Sequence, residues 1–195
     1  MKKFVEKRSN KLLWISLAVF TLTYLVIIGY HWLFNGHFGD ATYTISMYVG
    51  LAPWSSLLFC VTNLAIAVML IVYILTQAKM RGFLWRLMMF AFVICFFGLS
   101  IAPRVPFEGD TVIEIHHFFS YSMFAIIALL AFYTAATVKD KFARTVATLI
   151  VAYAAFFIVG YLLNAAFLDA GIFWYESAVV FAFFALVISS NRIKG

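Results

Sequence analysis

The residues able to do chemistry gather at a few points of the chain. The richest is Glu114-Ile115-His116-His117-Phe118-Phe119-Ser120-Tyr121-Ser122. On a helix, Glu114 shares a face with His117, His117 with Tyr121, and His116 with Ser120. His116 and His117 themselves point about 100° apart and do not both face one small site. One of these histidines suits a general base or a metal ligand, with Glu114 or Glu176 as its carboxylate partner. The plainer alternative is an interfacial cap. An acid at a helix N-terminus complements the dipole, and the histidines then sit among headgroups.

Other polar groups lie within or beside apolar runs. Glu176 follows Trp174-Tyr175. It is either a helix-start acid or a bundle-facing partner for Arg104 or a histidine, because ionisable groups at membrane depth face protein or water. His31 closes the first apolar run, and Asn63 and Asn164 lie inside later ones. An amide there needs a partner, which an interhelical hydrogen bond supplies. Arg104 sits between Pro103 and Pro106. The prolines stop the helix before them. Arg104 then anchors to lipid phosphate, pairs with Glu108, Asp110 or Glu176, or meets a substrate anion. Gly98, and Gly160 near Asn164, permit close helix approach. Cys60 and Cys95 both lie in apolar runs and read as inert packing thiols. Walker A, GxSxG, HExxH and GxGxxG motifs are missing from the sequence.

The elements that must position these groups follow from composition. Hydrophobic residues make up 66% of 195 positions and charged residues 11%. A soluble domain carries about 25% charged residues. The solvent for most of this chain is therefore lipid. A spanning helix needs about 20 apolar residues. Six stretches qualify, at about 12–32, 52–76, 83–102, 113–136, 145–167 and 172–190. The expected fold is all-α: a single polytopic membrane domain of six transmembrane helices with both termini cytoplasmic. The basic N-terminus reads as the start of a retained first helix, since the apolar run behind it is long and lacks a small-residue cleavage site.

Lys and Arg give the direction. Lys2, Lys3, Lys7, Arg8 and Lys11 precede the first span. Lys79, Arg81 and Arg86 join the second to the third, and Lys139, Lys141 and Arg144 the fourth to the fifth. Arg192 and Lys194 follow the last. Thirteen of the 14 basic residues thus share one side, and Arg104 alone takes the other. All four histidines and six of the eight acids map to that other, outer side, as do the two long connections, about 33–51 and 103–112. Trp14 and Trp85 are expected at the inner headgroups, and Trp32, Trp54 and Trp174 at the outer ones. The net charge of +6 is then a topology signal, with contact to anionic headgroups, and not a nucleic-acid patch. The expected location is a prokaryotic cytoplasmic (inner) membrane.

Ile45-Ser46-Met47-Tyr48-Val49-Gly50, then Asn63, Gly98 to Pro103, His116-His117 and Glu176, follow one another in a characteristic order. This order is similar to a prokaryotic six-helix membrane family known as domain of unknown function nine hundred and ninety-eight, which itself looks like the eukaryotic DRAM/Frag-type membrane proteins. The resemblance covers about 45–190. It implies the six-helix fold and an outer polar cluster that takes in Ser46. The family usually has Glu or Asp after Ser46 and Phe-Pro-x-Asp at the third-helix exit; here these are Met47 and Ala102-Pro103-Arg104.

Three functions are open to such a chain. The leading expectation is an outward site, drawn from His116, His117, Glu114, Glu176, Arg104, His31 and Ser46, that binds a membrane lipid, an amphiphile or a membrane-protein partner. The second is a metal-dependent lipid hydrolase at the outer interface, with a divalent metal on His116 or His117. The third is a small-solute transporter or its substrate-binding subunit.

Overall fold

The computed structural model describes residues 2–36, 45–77, 82–101, 110–163 and 167–191; side chains at 2–9, 46, 110–112, 161 and 167–175 are outside that description. The described residues form seven helices: α1 (Lys2–Phe34), α2 (Ile45–Gly50), α3 (Pro53–Gln77), α4 (Phe83–Ile101), α5 (Asp110–Thr137), α6 (Lys141–Leu162) and α7 (Phe167–Ser190). Among the described residues, five apolar stretches are long enough to cross a membrane: Asn10–Phe34, Pro53–Gln77, Phe83–Ile101, Ile113–Thr137 and Lys141–Gly160. In α7 the described apolar stretch is Glu176–Ser190.

Local chemistry marks the ends. Pro53 opens α3, where its fixed φ suits a helix and its missing N–H costs nothing. Asp140 caps α6, its Oδ1 accepting the Ala143 N–H at 2.8 Å. Gly36, at φ 73°, takes the left-handed conformation just past α1. Buried hydroxyls bond back to their own helices: Ser16 to Leu12, Ser100 to Phe96 and Thr134 to Leu130.

Three boundaries differ from expectation. α1 begins ten residues before the apolar run, because Lys, Arg and Glu form helices well even though they do not enter lipid. α5 begins at Asp110, so Glu114 is its fifth residue and not its cap. α6 ends at Leu162 and α7 begins at Phe167, which moves Glu176 from the start of the last helix to its third turn.

α1 packs on α3, α3 on α4, α4 on α5, α5 on α6 and α6 on α7; α7 closes back on α1 and α5. Consecutive long helices run antiparallel. Trp85, early in α4, meets Tyr73, late in α3, edge to face at 6.1 Å. Tyr24, in the second half of α1, hydrogen-bonds Ser177, in the first half of α7, at 2.7 Å. At the opposite end Tyr73 Oη donates to Asn191 Oδ1 at 2.9 Å. The core between is aromatic. Phe92 stacks on Phe183 with ring centres 3.6 Å apart, and Phe20 touches Phe96, Phe181 and Phe184. Trp85 is 2% exposed, so it belongs to this core and not to a headgroup belt; its indole fills the gap between α3 and α4. Trp14, by contrast, is 55% exposed.

Candidate functional site

The site is built around α2, which falls in a stretch expected to be a loop. Ile45, Tyr48 and Val49 bury their side chains, packing with Ile27 and Ile28 of α1. Ser55 and Ser56 of α3 donate to the Val49 carbonyl at 2.8 and 2.9 Å. Trp32 Nε1 of α1 donates to Tyr48 Oη at 2.9 Å. Glu176 Oε2 of α7 accepts the Ile45 N–H at 3.0 Å. A six-residue helix has little stability alone; here three long helices hold it in place.

Beneath α2 lies a cleft of about 580 Å³, its mouth included. Every described helix except α6 contributes to its lining. Ile45 and Val49 come from α2, and Phe20, Phe59, Phe96, Phe124, Met123 and Val180 form most of the apolar wall. Four polar side chains enter it: Asn63, His116, Ser120 and Glu176. His116 and Asn63 are buried, and Glu176 is half-buried. Asn63 lies about 15 Å along α3 from Pro53, taking 1.5 Å per residue. Among the described residues no hydrogen-bond partner reaches either its Oδ1 or its Nδ2.

The proposed site residues thus divide. His116, Glu176 and Asn63 meet in one cleft, although they belong to three different helices. His117 faces away, half-buried, its ring 5.7 Å from that of Tyr121. Glu114 is exposed. His31 sits apart from the cleft lining, in an aromatic knot. Its ring stacks on Trp54 at 5.9 Å, and its Nδ1 is 2.8 Å from the Asn35 amide. Arg104 and Asn164 lie outside the described residues, as does the side chain of Ser46, whose backbone belongs to α2.

The aromatic walls and the role of α2 were not singled out from sequence. A signal for the wall exists on α5: His116, Ser120 and Met123 fall at i, i+4 and i+7, one stripe of a helix. Among the described residues, no three His, Cys, Asp or Glu side chains gather as a metal site requires. A catalytic zinc takes three protein ligands and water. His116 and Glu176 alone do not supply that set. Cys60 and Cys95 are free thiols. No known protein family, curated protein or solved structure matches the chain.

Proposed function

We propose that this chain is a six-span protein of a prokaryotic cytoplasmic membrane, with both termini in the cytoplasm, and that it binds a lipid or another amphiphile in the cleft beneath α2, from the outer side. The observation that carries the reading is the cleft's composition: aromatic and aliphatic walls with a few polar groups aimed inward. Small-molecule sites have this character. An apolar chain would lie along Phe20, Phe59, Phe96 and Phe124, with its head among His116, Glu176, Ser120 and Asn63. The outward direction rests on the Lys and Arg partition, which puts the α2 end opposite the basic connections. Hydrolysis by a bound metal is less well supported, since the described donors stop at two.

Native mass spectrometry after mild extraction tests the proposal. The expected result is a retained lipid-sized mass that is lost in Val180→Phe, which fills the cleft without adding charge. A chain that carries no bound mass, and that takes up none from added lipid, would overturn it.

A further inference from the structure

Asn63 restricts what the cleft can select. Its side chain is 1% exposed and lines the cleft, and neither amide atom has a hydrogen-bond partner among the described residues. A buried donor or acceptor left unpaired is unfavourable. The occupant best matched to Asn63 therefore satisfies both atoms together. A carboxylate or phosphate offers acceptors only. It would serve Nδ2, face Oδ1 with a second oxygen, and share the cleft with the Glu176 carboxyl. An ammonium offers donors only and leaves Nδ2 unpaired. A lone hydroxyl serves one atom well at a time. A planar group with an acceptor and a donor side by side closes two hydrogen bonds with the amide edge.

Resting on the amphiphile-binding reading above, we propose that the cleft selects an uncharged amphiphile whose head, a primary carboxamide or a protonated carboxyl, pairs edge to edge with the Asn63 amide. The aromatic walls take the chain. Glu176, already accepting the Ile45 N–H, contributes discrimination against anions.

Equilibrium binding of dodecanamide, dodecanoate and dodecylammonium to the purified full chain at pH 8 tests this. Dodecanamide is expected to bind at least about tenfold more tightly than either charged probe, the loss of one well-made hydrogen bond being of that size. Repeating the series at pH 5 separates the two permitted heads: the carboxyl probe gains affinity as it is neutralised, and the amide does not. Asn63→Leu, close to isosteric, should keep chain binding but reduce the amide preference below about twofold. It should also leave the thermal midpoint of the ligand-free protein no lower, because it removes an unpaired amide. Equal binding of all three heads, a preference for a charged head, or an amide preference surviving in Asn63→Leu would overturn the inference while leaving amphiphile binding intact. Absence of saturable binding by every probe would instead overturn the amphiphile reading itself.

Discussion

Gly98 fixes how near α4 comes to α5. A Cβ built there would lie 2.6 Å from three atoms of the Phe119 ring, so the ring face sits directly over the glycine. Real Cβ atoms do not approach that closely, and the ring is half-buried between helices with little freedom to withdraw. Gly98→Ala is therefore expected to destabilise the bundle by about 1–3 kcal/mol, the usual cost of forced overpacking. Gly29 is a matched control in α1, with nothing within 4 Å of its added Cβ. Gly29→Ala should be neutral or should stabilise by up to about 1 kcal/mol, from helix propensity alone. Thermal unfolding in one detergent compares the two; equal midpoints would show that α4 and α5 are looser than this contact requires. The consequence reaches the cleft, because Leu99 adjoins Gly98 and His116 precedes Phe119 by less than one turn, and both line it.

α2 depends on its neighbours more than any other element. Glu176 is its tie to α7, placed at the first N–H of the helix. Removing a side-chain acceptor at a helix start costs about 0.5–2 kcal/mol. Glu176→Ala should therefore speed amide exchange across 45–50 while leaving the middles of α3 and α4 protected, and Glu176→Gln, which keeps an acceptor oxygen, should do so less. Hydrogen exchange with mass spectrometry reads both; uniform loss of protection would mean that Glu176 holds the whole bundle. The reason α2 was not legible in the sequence is visible here. Ile45-Ser46-Met47-Tyr48-Val49-Gly50 is too short to show a period, and its order comes from Ser55, Ser56, Trp32 and Glu176, which are remote in sequence or in other elements. The long helices were legible because lipid demands a continuous apolar run. The cleft was half legible. His116, Asn63 and Glu176 stand out as polar residues in apolar runs, but hydropathy does not say which helices are neighbours. It therefore could not separate His116, inside the cleft, from His31 and His117, outside it. Trp85 failed for the same reason: an indole near a span end reads as a headgroup anchor until α3 is seen to cover it.

At the scale of the molecule, the exposed surface states its solvent. Leu22, Leu33, Leu75, Phe132 and Leu149 are all exposed, on α1, α3, α5 and α6, which is tolerable only against lipid. The number of crossings decides where the C-terminus lies. α7 has 24 residues, about 36 Å of helix, which matches a hydrocarbon core of about 30 Å. If α7 crosses, Arg192 and Lys194 join the other inner basic residues. If it does not, they fall on the side that otherwise holds only Arg104. Cysteine labelling separates these cases. With Cys60 and Cys95 replaced by Ala, single cysteines are introduced as Phe34→Cys, Lys139→Cys and Lys194→Cys, and intact cells are treated with a membrane-impermeant maleimide. Phe34→Cys, at the α2 end of α1, should label directly, whereas Lys139→Cys and Lys194→Cys should label only after permeabilisation. Direct labelling of Lys194→Cys together with Phe34→Cys, with Lys139→Cys still protected, would leave α7 as a non-crossing helix. Direct labelling of Lys139→Cys with protection of Phe34→Cys would invert the bundle and turn the cleft beneath α2 toward the cytoplasm. The inverted pattern would also change which pool of amphiphiles can reach Asn63, so the orientation experiment bears on the ligand as much as on the fold.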